Sequence, residues 1–360
     1  MPRSCVVLLS GGLDSLLVLK LMVDQGLNAI AMHSINCFHS TEKTADLKIR
    51  LAESAKRLGA VDIVFPDITQ EVIACVKGPR YGFGKNLNPC IDCRLKTVET
   101  GFAVMRERGA DFVVSGEVIG QRPMSQRRDA MAIADRAIDR SGLGGLLLRP
   151  LSAKLLPTTV PEKEGWVNQN CLFSVSGRGR YTQMELAEKL QLGEYPNPAG
   201  GCLLTDAGFS GRLADLIRFK PDWEAADVEL VKVGRHFLLN EKTRVVASRR
   251  EEENYLLRDL SRPEDKLYIN DEKNGAIVML HGECTPENEA IAAGLAVYYS
   301  KMREDGKARV EFWRGGGPED LDKGTVEALA VDPELLRKKE QEMKASSSVP
   351  VFDKRRKNNQ

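Results

Sequence analysis

The chain has 360 residues, of which 42% are hydrophobic and 29% charged, and its net charge is +1. That length admits two domains, and the composition is that of a globular protein rather than a disordered or fibrous one. Near-neutrality gives no global sign of nucleic-acid binding, although it leaves room for a local basic face.

In chain order, Met1-Pro2-Arg3-Ser4 leads straight into the apolar residues 5–9, which are too short for the core of a signal peptide. No apolar run reaches the roughly 18 residues of a membrane span. The expectation is a cytoplasmic protein with no membrane partner. Its eight cysteines are then reduced, and are candidates for metal binding or catalysis rather than for disulfides.

Residues 5–9 read as a strand and 16–23 as the helix that follows. The alternation continues with a strand at 29–33, a helix at 43–58 and a strand at 62–65. A helix at 96–108, a strand at 112–115, a helix at 125–139 and a strand at 146–148 complete it. Strands alternating with helices imply a Rossmann-like parallel sheet covered on both faces. Residues 150–220 are rich in Gly and Pro, with one clear helix at 182–190, and read as loops laid on that domain.

Lys220-Pro221-Asp222 marks a boundary, so the first domain is expected at 1–220. Strands at 231–239, 244–247 and 276–280, with helices at 251–260 and 287–300, suggest a small α+β domain over 221–315. Residues 316–360 read as a charged tail with a helix, then a disordered end.

Between the first strand and helix lies Ser10-Gly11-Gly12-Leu13-Asp14-Ser15. Gly11 and Gly12 leave backbone N–H groups free to wrap an anion, and the next helix adds its dipole. Ser10 and Ser15 add hydroxyls, and Asp14 suits loop ordering or Mg²⁺. A Gly-Gly turn with Asp14 as a helix cap is the plain alternative. The loop resembles the PP-loop of ATP pyrophosphatases, of the adenine nucleotide α-hydrolase-like fold, and lacks the Gly-Lys-Ser/Thr ending of a Walker loop. That resemblance implies ATP and Mg²⁺, cleavage between the α and β phosphates, and Asp14 as a catalytic residue. It also places Met32-His33-Ser34 against adenine through main-chain groups, and Gly116 of Ser115-Gly116-Glu117 beside the nucleotide.

Pro89-Cys90-Ile91-Asp92-Cys93 is a C-x-x-C, which lets two thiolates reach one metal centre; a redox pair or buried thiols are the alternatives. Asn88-Pro89-Cys90 and the Gly200–Asp206 segment, which contains Cys202, resemble the two cysteine segments of PP-loop tRNA thiolation enzymes. Cys93 matches their three-cysteine branch. The resemblance covers roughly residues 4–210 and includes Arg149–Lys154 with Leu156–Thr159. It implies a [4Fe-4S] cluster on Cys90, Cys93 and Cys202 with one iron free of protein sulfur. Cys90 and Cys202 are then catalytic. Cys5 reads as core packing, Cys37, Cys75 and Cys284 as structural, and Cys171 as the only spare ligand.

Arg122, Arg127 and Arg128, with Arg178 and Arg180 of Gly177-Arg178-Gly179-Arg180, are candidates for phosphate or RNA contact, against a solvated helix face as the plain alternative. Lys232–His236 and Ala247–Asn254 resemble the NFACT-R RNA-binding module, which makes Arg235 and Arg249 further candidates. The residues show no THUMP or rhodanese-like segment.

The resemblance as a whole implies a tRNA sulfurtransferase. A uracil oxygen is adenylated with release of pyrophosphate, and sulfide from the cluster displaces AMP, with 4-thiouridine at position 8 favoured. Its partners are tRNA and a sulfur donor, either a cysteine desulfurase or free sulfide, and a homodimer is compatible. A persulfide pair, Cys90 and Cys202, is the cluster-free alternative. A PP-loop ligase or amidase acting on a small molecule, and an RNA-binding protein switched by ATP, are the rivals outside this chemistry.

Overall fold

Short apolar runs punctuated by glycine fit strands that are buried on both faces, as parallel sheets require. The computed structural model describes residues 2–39, 44–195, 202–270, 272, 275–316 and 322–346. The chain divides into two compact units, Met1–Asp206 and Ala207–Gln360.

The first unit opens with β1 (Ser4–Leu8), α1 (Leu13–Asp24), β2 (Asn28–Met32), α2 (Thr44–Arg57) and β3 (Asp62–Val64). There follow α3 (Thr69–Lys77), α4 (Cys90–Glu107), β4 (Phe112–Ser115), α5 (Arg128–Arg140) and β5 (Leu147–Leu148). Short α6 (Val160–Lys163) and then α7 (Tyr181–Lys189) complete it. All strands are parallel, in the order β3-β2-β1-β4-β5. This is the expected Rossmann-like sheet. The order reverses between β1 and β4, and ligands of such sheets sit beyond the carboxyl ends of the strands at that reversal.

Alternation along β1 divides the core. Cys5 and Val7 pack with Leu17 and Val18 of α1, whereas Val6 and Leu8 pack with Val98, Phe102 and Met105 of α4. Cys5 is fully buried, and burial pushes its thiol pKa far up, as suits the packing role expected for it.

Two helices differ from the sequence reading. Helix α4 starts at Cys90 instead of near residue 96, so Cys90 and Cys93 occupy its first turn. Pro89 precedes it where a missing N–H costs nothing, because the first N–H groups of a helix have no intrahelical partner. Helix α3 was not anticipated; its buried face is Val72, Ile73, Cys75 and Val76.

The second unit runs α8 (Ala207–Phe219), α9 (Ala225–Lys232), β6 (Arg235–Asn240), β7 (Thr243–Ala247), α10 (Glu251–Leu260) and β8 (Lys266–Asn270). It continues with β9 (Val278–His281), α11 (Pro286–Tyr298), β10 (Lys307–Arg314), β11 (Gly324–Leu329) and α12 (Pro333–Ser346). Its sheet is antiparallel, in the order β11-β10-β8-β9-β7-β6. One face is covered by α11, whose Ala292, Ala293, Leu295, Ala296 and Val297 are buried.

The α+β class is as expected, but α8 lies where loops were read, α9 was not anticipated, and there are three further differences. Val231 and Lys232 end a helix instead of beginning a strand, and β6 starts after Gly234. Strands β8, β10 and β11 were not anticipated, and β11 carries the sheet beyond residue 315. The division between units falls at Asp206, whereas the sequence reading sets it near Pro221. Helix α12 is the charged helix expected in the tail. The disorder expected for the chain end concerns residues 347–360, which lie outside the described residues. No helix among the described residues is long and apolar enough to cross a membrane.

Leu17 is fully buried on the face of α1 that packs on the sheet. Leu17→Ala should therefore cost about 2–5 kcal/mol in chemical denaturation. A loss below about 1 kcal/mol would mean that this core is looser than its burial implies.

Candidate active site

The Ser10–Ser15 loop is built to hold its own shape. Gly11 takes a φ of +79°, open to glycine at little cost. A Cβ there would lie 2.8 Å from the tip of the Leu51 side chain of α2, which would have to shift. Ser15 Oγ donates to Gly12 O at 2.8 Å and accepts from Ser10 N at 3.1 Å. These bonds fold the serines into the turn and leave the first N–H groups of α1 for an anion. Arg50 of α2 adds a cation that sequence reasoning missed: its Nη1 lies 3.8 Å from the place of a Gly11 Cβ. It was legible only as one polar residue beside Leu51.

Gly116 follows β4, and the close approach it permits is to this loop. A Cβ would sit 2.8 Å from the carbonyl of Asp14 and 2.9 Å from Ser15 N. The reversal point of the sheet thus brings the end of β4 against the start of α1.

Asp14 reaches further. Its Oδ2 accepts from the Gln121 side-chain amide, and Gln121 Oε1 accepts from Gln183 Nε2 at 3.0 Å. Asp14 Oδ1 is buried without a hydrogen-bond partner. A buried carboxylate oxygen left unpaired beside a phosphate loop suits a hard cation such as Mg²⁺.

At the end of β2 two of the main-chain groups expected to meet adenine have internal partners. Leu9 N donates to Met32 O at 2.8 Å, and His33 N donates to Val64 O at 3.0 Å. The unpaired buried atoms are side-chain ones, His33 Nε2 and Ser34 Oγ. His33 Nδ1 lies 2.8 Å from Leu9 O and must carry the proton, because a carbonyl only accepts. Burial first, with the charge of Arg50, lowers the His33 pKa, so the ring is neutral and Nε2 is an acceptor.

The first turn of α4 carries Cys90 and Cys93 at i and i+3, on one helical face. Asp92 between them accepts from Arg80 N at 3.0 Å and Tyr81 N at 3.2 Å, which ties the preceding loop to the helix. Cys202 arrives from the far end of the unit. Leu203 N donates to Phe38 O at 3.0 Å, and Asn86 Nδ2 donates to Thr205 O at 2.8 Å. Burial, together with the neighbouring Cys202, Cys90 and Cys75, pushes the Cys93 thiol up to about 12. Burial also raises Cys202, with Cys90 adding to it and Arg122 opposing. The three predicted cysteines are therefore mutual neighbours, and Cys75, read as structural, joins them. Among the described residues no three Cys, His, Asp or Glu side chains are arranged as a metal site. A thiophilic metal would hold these groups as thiolates, its charge offsetting the cost of burying theirs.

Glu117 was quoted in the sequence only as part of a motif, yet it anchors the strongest polar network here. Its carboxylate meets Arg94 Nε at 2.7 Å and Arg149 Nε at 2.9 Å, and Arg149 Nη1 reaches Asp135 at 2.8 Å. Burial would raise the Glu117 pKa, but the two guanidiniums outweigh it and hold it at about 2. No local pattern announces partners that lie so far apart in sequence.

The predicted RNA-binding arginines fall into two sets. Arg127 pairs with Asp129, and Arg128 donates to Leu155 O. In the second unit, Arg235 donates to Ser248 O at 3.0 Å and stacks over Tyr299, and Arg249 pairs with Glu253 at 3.5 Å. Arg122 and Arg178 are exposed, and Arg180 is half-buried. Their loops touch, because Gly177 N donates to Ile119 O at 2.7 Å.

Against known proteins, residues 2–153 match the family described as thiamine biosynthesis protein (ThiI). Residues 234–330 match the NFACT protein RNA binding domain. The two matches thus fall one in each unit. A probable tRNA sulfurtransferase of Thermococcus kodakarensis is 28% identical over 139 residues, which are 37% of this chain and 34% of that protein. The chain thus spans about a third of the length of that curated relative. Among solved structures, a 4-thiouridine synthetase–RNA complex with bound ATP covers 53% of this chain and 52% of its own, at 14% identity and a TM-score of 0.34. The C-terminal part of a fibronectin/fibrinogen-binding protein from Streptococcus suis covers 69% and 93%, at 11% identity and a TM-score of 0.26.

Glu117→Gln should leave the half-buried Arg94 and the buried Arg149, which keeps Asp135, beside a neutral amide, at a cost of up to about 3–5 kcal/mol at neutral pH. The folded pKa lies below 4.5, so this stabilisation is complete above about pH 4.5 and fades as pH falls towards about 2. Denaturation of both proteins across that range measures the gap, which should narrow with acid. A gap independent of pH would mean that the carboxylate charge is not what matters.

Proposed function

We propose that this chain is an ATP-dependent tRNA uridine sulfurtransferase. The observation that carries the proposal is the Gly120–Arg122 loop. Gln121 holds Asp14 of the phosphate loop, while the charge of the next residue, Arg122, acts on the Cys202 thiol. One short loop thus joins a site suited to ATP and a site suited to sulfur.

In the proposed reaction a uracil carbonyl oxygen attacks the α-phosphorus of ATP. The bond to the bridging oxygen breaks and pyrophosphate leaves, its charge met by the first N–H groups of α1. The carbon now bears an adenylate leaving group. A sulfur nucleophile attacks that carbon, the carbon–oxygen bond breaks, and AMP departs. Position 8 and 4-thiouridine are the product favoured by resemblance. Asp14 Oδ1 would hold Mg²⁺, which supplies neutralisation of phosphate charge when bound. Cys90, Cys93 and Cys202 would hold a [4Fe-4S] cluster, which supplies an iron free of protein sulfur when bound. The NFACT domain would hold tRNA, and a cysteine desulfurase or free sulfide would supply the sulfur.

Mass spectrometry of tRNA nucleosides from a strain lacking the gene tests the activity. One thiouridine should vanish and return with the wild-type gene; an unchanged nucleoside profile would overturn the assignment.

Two sets of variants test the parts. Asp14→Asn should slow pyrophosphate release by about 2.7–4 kcal/mol in barrier without loss of fold by circular dichroism. Release at the wild-type rate would remove Asp14 from the reaction. Cys90→Ala, Cys93→Ala and Cys202→Ala should each lose the brown colour and most iron and sulfide after anaerobic purification, whereas Cys5→Ala and Cys284→Ala should keep them. Cys93 separates cluster from persulfide, because the persulfide route needs only Cys90 and Cys202. Normal thiolation by iron-free Cys93→Ala would overturn the cluster.

A further inference from the structure

Tyr181 begins α7 and is 84% exposed, the most exposed large hydrophobic side chain among the described residues. Met184, at i+3 on the same face, is 52% exposed. A large aromatic ring left in water at a helix start, beside a second exposed apolar side chain, offers a flat face to a partner. Its surroundings indicate the ligand. Arg178 and Arg180 immediately precede it, and the loop that carries them bonds to the Ile119–Arg122 segment at Gly177. Two residues further along α7, Gln183 is fully buried and bonded to Gln121, which holds Asp14. The ring therefore stands on a helix fixed to the phosphate loop, with two arginines in the three residues before it.

We propose that Tyr181 is a stacking platform for an unpaired nucleobase of the RNA substrate, with Arg178 and Arg122 meeting its flanking phosphates. This deepens the proposed function and rests on it. Aromatic rings among arginines suit single-stranded RNA, where each base offers a flat face and each linkage a charge. The second unit supplies a contrast. Tyr255 of α10 is 60% exposed, but the exposed Glu251 and Glu252 in the same helix would repel phosphate. On α7, Glu185 and Glu188 lie further along the exposed side and confine the contact to the first turn. The base stacked on Tyr181 holds the strand in place; it is not assigned as the uracil that reacts.

The test is titration of full-length protein with unmodified tRNA at fixed salt. Tyr181→Ala should bind about 5- to 150-fold more weakly, the range of one lost base–aromatic stack. Tyr181→Phe should stay within about twofold of wild type, because stacking needs the ring and not the hydroxyl. Tyr181→Trp should also bind and, unlike wild type, should add an indole fluorescence component that RNA quenches. ATP affinity measured without RNA should be the same in all four proteins. Wild-type binding by Tyr181→Ala would overturn the platform and leave the patch as a protein-contact surface. Equal losses in Tyr181→Phe and Tyr181→Ala would also overturn it, in favour of a hydroxyl contact. If wild-type protein binds no tRNA at all, the RNA-modifying function falls first, and this inference with it.

Discussion

A carboxylate buried between two guanidiniums organises the first unit. Glu117 follows β4, Arg94 lies in α4 one residue beyond Cys93, and Arg149 follows β5. The same short segment, Ser115-Gly116-Glu117, packs its glycine on Asp14 and Ser15. Loss of the carboxylate would thus disturb both the helix that presents two cysteines and the strand end that backs the phosphate loop. Buried ion pairs are poor sources of net stability, because desolvation consumes most of the attraction. Their use here is geometric, since charge-assisted bonds from Arg94 to Glu117 and to Ser115 Oγ fix one helix against one strand.

The surrounding electrostatics divide the site into a wet half and a dry half. Arg122 and Arg178 are exposed and suit a polyanion. The thiols are more enclosed, and burial pushes Cys93 and Cys202 towards their neutral forms. On the proposed function such a border is where a sulfur centre would meet a nucleic acid, since the backbone phosphates stay in water and only a base need leave it.

Much of the sheet was legible because each buried strand is an unbroken apolar run, from residues 5–9 to 112–115. The phosphate loop was legible because glycines and hydroxyls stand together in sequence. What escaped lacks a local signature. Helix α4 starts in Cys90-Ile91-Asp92-Cys93, which shows no apolar period and reads as a turn. Glu117, Arg50 and Gln121 are ordinary polar residues until the fold brings distant partners to them. Arg235 shows the converse, for its motif suggested an RNA contact while the fold gives it a carbonyl and a tyrosine ring. Sequence names the charge, and only the fold reveals whether that charge is already engaged.

The relay from Asp14 to Gln183 has a sense of direction. An ionised carboxylate can only accept, so it compels Gln121 to turn its NH₂ inward and its oxygen towards Gln183. Gln183 must then present its own NH₂, which leaves its oxygen without a donor. Each amide would otherwise be free to flip, since either end of it can bond. A single acceptor-only group therefore removes a twofold ambiguity at two successive side chains, and the last of them belongs to α7. Replacing that carboxylate by an amide of the same shape would restore the ambiguity along the whole row without displacing one heavy atom.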